Sequence, residues 1–411
     1  MSPGNQTLTP ALSRIVQAYS GPTLIARLIE LLDFPHERDA AKSYLVALIK
    51  SKTINTTVLK QIESPLSPES EEWIKKAASE QTRAIDHADR MLYNAKLTQD
   101  PEKIRNALWN HSRLQSETIG DHKMSLIKLL EINELTSEPL DKLKLSIAVV
   151  AENIYSTHSN VAQHVRPEVV RAISNKGSEQ HPSEVAILKG ALAVVQIRQM
   201  QFYEAAETLL SIGSFPDYPP LFCTIDLVRY MVICVLASHN RNQLKQLLNH
   251  EHFKSALDLC PDSKQAFVDL CNSQFHSSFR HMERIADTYL VGDPYFKRSV
   301  SRAAFDAIQE SAFCIYISPY QSICLKRMSS AFQESIENIQ SVLVRLIQKG
   351  VIQAKIDAER QILFTNISKQ QKNAFEICDR VANRFLSMDV ALSLRIAQLR
   401  HRIVVGSVKS S

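Results

Sequence analysis

Glycine occurs only 9 times in 411 residues, where ordinary usage of about 7% would place roughly three times as many. Glycine supplies the positive-φ turns of tight hairpins, phosphate-binding loops and strained active-site corners, so this chain has few such places. The scarcity predicts long helices joined by polar turns. Hydrophobic residues make up 45% of the chain and charged residues 22%, a balance that supports packed cores and argues against global disorder. The length is enough for two or three domains.

The formal net charge of +5 is too weak to point to nucleic acid, whose binding needs a concentrated basic face. No stretch reaches the 18 or so apolar residues of a membrane span; the longest candidate, Ile225 to Ala237, is broken by Asp226 and Arg229. Met1 to Thr9 is polar and lacks the charged-then-apolar order of a secretory signal. The 7 cysteines are scattered and odd in number. Cys234, Cys324 and Cys378 sit in apolar helical patterns, where a free thiol packs as a small hydrophobe. A reducing compartment, nucleus and cytoplasm, is the expectation.

The apolar period is helical almost throughout. Residues 7–62 read as two or three short helices, separated near Ser20-Gly21-Pro22 and Asp33-Phe34-Pro35. The stretch Ser64-Pro65-Leu66-Ser67-Pro68 is the clearest linker, and it opens the next helix with Ser67 as cap and Pro68 in the first turn. Trp73, Ile74, Ala77, Ala84, Ile85, Ala88, Leu92 and Ala95 then recur at three and four residues, the mark of a long amphipathic helix. Shorter stripes follow, such as Leu143, Ile147, Val150 and Ile154, then Leu188, Leu192 and Val195. From Phe202 to Leu210 an aromatic pair precedes Ala205-Ala206 and Leu209-Leu210. Small residues there let a neighbouring helix approach, as stacked helical hairpins require. No strict period is visible, so the pattern is a degenerate, TPR-like solenoid.

The character changes after Ile317-Ser318-Pro319. Ile323 and Met328 fit a first short helix; Ser335 caps a second that carries Ile336, Ile339, Val342, Leu343 and Leu346, and Gly350 stands where it ends. Ile352, Ala354 and Ile356 then alternate with polar residues, residues 357–360 turn, and Ile362-Leu363-Phe364 returns. Helix, turn, helix, hairpin is a winged helix. Residues 367–405 read as one helix of roughly 50 Å. Its seam is Phe375, Cys378, Ala382, Phe385, Leu392, Ile396, Leu399 and Ile403, with Asp389 in the one polar slot. So regular a seam predicts a bundle partner. The expected fold is all-α: N-terminal helices over 1–66, a helical-repeat solenoid over 67–300, a winged helix over 301–366 and a terminal helix over 367–411.

A helical solenoid running into a winged helix resembles the PCI domain family, found in the proteasome lid, the signalosome and eukaryotic initiation factor three. Ser318-Pro319-Tyr320, Met328, Ala331-Phe332, the run from Leu346 to Asp357 and Ile362-Leu363 are similar to the PCI signature of the signalosome branch. Tyr203 to Leu210 and Leu236-Ala237-Ser238 with Arg241 are similar to the stretch that precedes the PCI domain in that branch, and Tyr19-Ser20-Gly21 with Ile25, Arg27 and Leu28 resembles its N-terminal helix pair. The resemblance is strong after about Ser183 and weak across 101–178. It implies a non-catalytic scaffold role in the complex that removes the ubiquitin-like protein Nedd8 from cullins. The partners implied are other PCI subunits and, through the complex, cullin-RING ubiquitin ligases. Winged helices would meet edge to edge, here through Ile352, Ala354, Ile356, Ile362 and Phe364. Terminal helices would share a bundle, here through Phe375, Phe385, Leu392, Ile396, Leu399 and Ile403. The proteasome-lid version shares this architecture and stands as the alternative.

No catalytic, cofactor or metal residue is expected. His250-Glu251-His252 offers two imidazoles for zinc, but the metalloisopeptidase motif needs Pro next, then Ser and Asp eight and eleven residues after the second His. Phe253, Cys260 and Ser263 occupy those places. Cys223 and Cys234, like Cys260 and Cys271, are 10 residues apart in the gap between them, where structural zinc wants about two to four. Nucleotide-binding and hydrolase motifs are missing from the sequence. The second winged helix opens with Glu334 and Glu337, the wrong sign for phosphates. Protein packing is the expectation for that module, with a winged-helix nucleic-acid-binding protein as the further alternative.

Overall fold

Twenty α-helices and one small sheet make up the regular structure among the described residues. The computed structural model describes residues 9–63, 67–156, 161–175, 178–365 and 368–401, with residues 162, 178 and 368–376 described by their backbone alone. Two compact units, residues 1–315 and 316–411, make up the chain.

The first unit opens with α1 (Pro10–Ala18), α2 (Gly21–Leu31), α3 (Arg38–Lys52) and α4 (Thr56–Ile62), four helices where two or three were expected. The division between α3 and α4 carries neither Gly nor Pro. Asn55 makes it, its side chain accepting from the backbone N–H groups of Thr57 and Val58 at 3.1 Å. Leu12, Ile15, Leu28, Leu31, Leu45 and Ile49 form the shared core of these helices.

The solenoid follows as α5 (Pro68–Leu97), α6 (Pro101–Arg113), a π-helical turn (Leu114–Ile119), α7 (His122–Leu135), α8 (Pro139–Tyr155) and α9 (Val161–Ser174). After a 3₁₀ turn come α10 (Pro182–Arg198), α11 (Phe202–Leu210), α12 (Thr224–Ser238), α13 (Arg241–Leu247), α14 (Glu251–Asp258), α15 (Pro261–Cys271), α16 (Phe275–Tyr289) and α17 (Arg298–Ile317). Helices pack chiefly on their sequence neighbours, α5 on α6, α6 on α7, α10 on α11 and α15 on α16, as a stacked array does. Proline fixes the first turn of α5, α6, α8, α10 and α15. Ser67 stands at the cap of α5 as expected, yet its hydroxyl bonds Ser70 Oγ at 2.9 Å instead of a backbone N–H. Inside α10, a Cβ added to Gly190 would stand 2.7 Å from the Phe222 ring, so glycine is what lets that ring pack.

Arg27 of α2 is buried at 1% exposure. Its guanidinium lies 3.4 Å from Asp226 of α12 and 3.4 Å from Asp293, 3.1 Å from the Tyr230 hydroxyl and 3.9 Å from the centre of the Tyr19 ring. The Tyr19 hydroxyl donates to Asp226. Burial pushes the Asp226 carboxyl up, but Arg27 and Arg229 outweigh it and hold the group below its ordinary value. Burial also works against the Arg27 charge; Asp293, the two tyrosines and Asp226 keep it protonated. This node ties the N-terminal helices to the middle of the solenoid.

The second unit holds β1 (Ser322–Cys324), α18 (Leu325–Phe332), α19 (Ile336–Gln348), β2 (Ala354–Asp357), β3 (Ile362–Thr365) and α20 (Ser368–Arg400). Ser335 caps α19, accepting from the Asn338 backbone at 3.3 Å. Asp357 Oδ1 accepts from the backbone of Glu359 and Arg360 at 3.1 Å and so closes the hairpin. The strands are antiparallel in the order β1-β3-β2. Ile323, assigned from its spacing to the first short helix, lies instead in β1, opposite Leu363. A three-residue strand whose partner lies 40 residues on leaves no local period to read.

Candidate assembly surfaces

The sheet sorts the hairpin residues by register. Ile323, Ile356 and Leu363 align across the three strands, and Ile323 and Leu363 are buried, so that face belongs to the core. Ser322, Phe364 and Lys355 align on the opposite face, where Phe364 is exposed. Of the residues expected at a pairing edge, Ala354 and Ile356 lie on β2, an outer strand. Ile352 precedes that strand. Ile362 and Phe364 lie on β3, which is paired on both sides, so their backbone offers no free edge. The hairpin alone made β3 look like an edge; β1 covers it.

The terminal helix carries more apolar surface than one seam. Phe385, Leu392, Ile396 and Leu399 share a stripe by their three- and four-residue spacing, and Phe385 and Leu399 are each 74% exposed. Ile377, Val381 and Met388 extend the same stripe and are also exposed. Leu386, Val390 and Leu394 recur on the opposite side and are exposed as well. The regular seam masks this second face in the sequence. Cys378 is exposed, contrary to its reading as a packed thiol, whereas Cys234 is buried and its thiol pushed far up by burial. The Phe375 side chain and Ile403 lie outside the described residues.

Among the described residues, no group of three or more His, Cys, Asp or Glu side chains is placed to hold a metal ion. His250 stands at the cap of α14, and Phe253 after the His-Glu-His run is buried. The seven cysteines are free thiols. No helix among the described residues is long and apolar enough to cross a membrane. On α19, Ile339, Val342, Leu343 and Leu346 are buried. The helix shows Glu337, Asn338, Ser341 and Val344 to solvent, a face poor in the cations that phosphates need.

Comparison with known proteins agrees with this architecture. Residues 281–367 match the PCI domain family, and residues 70–247 match the family of 26S proteasome subunit RPN7. COP9 signalosome complex subunit 1b of Drosophila melanogaster is 26% identical over 350 residues, 82% of this chain and 64% of that protein. COP9 signalosome complex subunit 1 of Arabidopsis thaliana is 27% identical over 251 residues, 60% of this chain and 56% of the relative. The 26S proteasome non-ATPase regulatory subunit 6 of rice is 28% identical over 182 residues, 42% of this chain and 44% of the relative. The chain thus spans less than two thirds of the length of each of these relatives. Residues 281–367 belong to the PCI domain family, in a chain homologous to subunit 1 of the COP9 signalosome.

Proposed function

We propose that the chain is a non-catalytic scaffold subunit of a COP9 signalosome, supporting the removal of Nedd8 from cullins and so regulating cullin-RING ubiquitin ligases. The observation that carries this reading is the similarity to signalosome subunit 1 over 82% of the chain. The exposed apolar faces of α20 support it, since large side chains at that spacing serve to pack against other helices. In this reading Ala354 and Ile356, with Ile352 beside them, meet the winged helix of a neighbouring PCI subunit. Phe385, Leu392, Ile396 and Leu399, with Phe375 and Ile403 continuing the seam, enter a bundle of terminal helices. Cullin-RING ligases are met through the assembled complex, in the nucleus and cytoplasm, where free thiols persist. The isopeptidase chemistry belongs to another subunit, which this one positions.

Deleting the gene is the test. The neddylated fraction of cullins, read on an immunoblot, should rise; an unchanged fraction contradicts the assignment. A second reading, a proteasome-lid scaffold, is favoured by the RPN7 match and the rice relative. Under it, deletion would leave cullin neddylation alone and cause polyubiquitinated proteins to accumulate.

A further inference from the structure

The signature Ser318-Pro319-Tyr320 plays no part in either assembly surface described above, yet the second unit holds it firmly. Tyr320 N–H donates to the Ile317 carbonyl at 3.0 Å, and its own carbonyl accepts from the Thr365 hydroxyl at 2.6 Å. Thr365 N–H donates to the Gln321 carbonyl at 2.9 Å, so the segment is sewn to the end of β3. Tyr316 is set by the Phe332 ring, 5.5 Å away and nearly perpendicular. Its own ring lies 5.8 Å from that of Tyr320.

Between them opens a cavity of 300 Å³ that also takes in Ser322, Cys324 and Arg327. The lining residues carry donors: two phenols, a serine hydroxyl and a guanidinium. No carboxylate among the described residues lines the cavity. Arg327 is exposed, and no ion pair forms at its guanidinium among the described residues. Burial pushes the Tyr316 phenol up, with Tyr320 adding to the shift and Arg327 opposing it, so the cation is within electrostatic reach of the phenol. Cys324 is the cap of α18 and supplies no side-chain bond to that helix; the helix's first N–H, that of Leu325, donates to the Gln361 carbonyl at 2.8 Å. The cavity borders β1, an outer strand that pairs on one side only among the described residues.

We propose that Tyr316, Tyr320 and Arg327 form a carboxylate-binding pocket, which takes an Asp or Glu side chain from an extended acidic segment of a partner protein. Charge complementarity selects the occupant: a guanidinium and hydroxyl donors without a local acid recognise an anion. The neighbouring strand edge favours an extended segment over a helix, because its backbone groups pair with an adjoining strand. The inference does not depend on which complex the chain joins.

The test uses the full-length protein and fluorescein-labelled nine-residue peptides of alternating Val and Thr, with Glu, Gln, Lys or phosphoserine at the centre. Fluorescence anisotropy should show the Glu peptide binding about tenfold or more tighter than the Gln or Lys peptide. Arg327→Gln should erase that preference, Tyr320→Phe should weaken it, and Lys326→Gln next door should leave it intact. Both Arg327 and Lys326 are exposed, so neither change threatens the fold, and unchanged circular dichroism will confirm this. Equal binding of the Glu and Gln peptides, no binding at all, or a preference lost equally in Lys326→Gln would overturn the proposal. Binding of the phosphoserine peptide alone would overturn it too, in favour of a phosphate-specific site.

Discussion

At the scale of single residues, the Arg27 node shows how a charge becomes a structural element. A buried ion pair gives little net stability over a well-packed apolar cluster, but removing one partner strands the others without compensation. Arg27→Leu leaves Asp293 and part of Asp226 facing a hydrocarbon and is expected to cost about 3–5 kcal/mol in urea unfolding of the full chain. Tyr19→Phe keeps the ring over the guanidinium and removes only the hydroxyl bonded to Asp226, so its cost should be smaller, about 1–3 kcal/mol. Equal costs would mean that the Tyr19 hydroxyl holds the node as firmly as the Arg27 charge does. Sequence gave no access to this arrangement: a lone arginine in an amphipathic helix reads as solvent-exposed, and its two carboxylates lie about two hundred residues or more away in the chain.

His239 adds a pH dependence. It is buried at the end of α12, with Nδ1 2.9 Å from Ser238 Oγ and Nε2 3.4 Å from Glu207. Burial lowers its pKa below the ordinary 6.5, against the pull of Glu207. The folded state therefore binds this proton less readily than the unfolded one. Its contribution to stability is whole above pH 6.5 and is lost as the pH falls from there through the depressed value. The melting temperature should drop between pH 7.5 and 5.5, more steeply in the wild type than in His239→Asn. Identical slopes in scanning fluorimetry would remove His239 from the account.

At the scale of elements, legibility followed length and periodicity. The stripes of α5, α10 and α11 and the capped α19 were all readable, because a helical period spread over several turns is hard to mimic. β1 was not, since its pairing is a tertiary event, and with it went the distinction between the central and outer strands. The two-faced α20 was half legible: one regular seam drew attention from Leu386, Val390 and Leu394 behind it. The outer edge of β2 can be tested by paired substitutions. Neighbouring residues of an antiparallel strand aim their N–H groups to opposite sides. One of Lys355→Pro and Ile356→Pro must therefore break the β2–β3 ladder and the other only the outer edge. The outward-facing variant should keep a folded hairpin by NMR while losing the neighbouring PCI subunit on gel filtration. Retained binding in that variant would move the assembly contact off β2.

At the scale of the whole molecule, the proposed role has the chain contribute surfaces to other proteins. A chain that leaves Phe385, Leu392 and Leu399 in water forgoes about 1.5–3 kcal/mol of burial for each, which the proposed helical bundle would recover. Leu392→Asp with Leu399→Asp changes only exposed positions, so the isolated subunit should melt within a degree or two of the wild type, yet bundling would bury both carboxylates unpaired. The most direct measurement is affinity purification of the tagged full chain from its own cells, wild type beside this double variant, with quantitative mass spectrometry of what comes with it. The wild type should bring down signalosome subunits, the metal-dependent isopeptidase among them, at near-equal stoichiometry, and the double variant should lose them while remaining soluble. Recovery of proteasome-lid subunits instead, or a double variant that retains the whole set, would contradict the account.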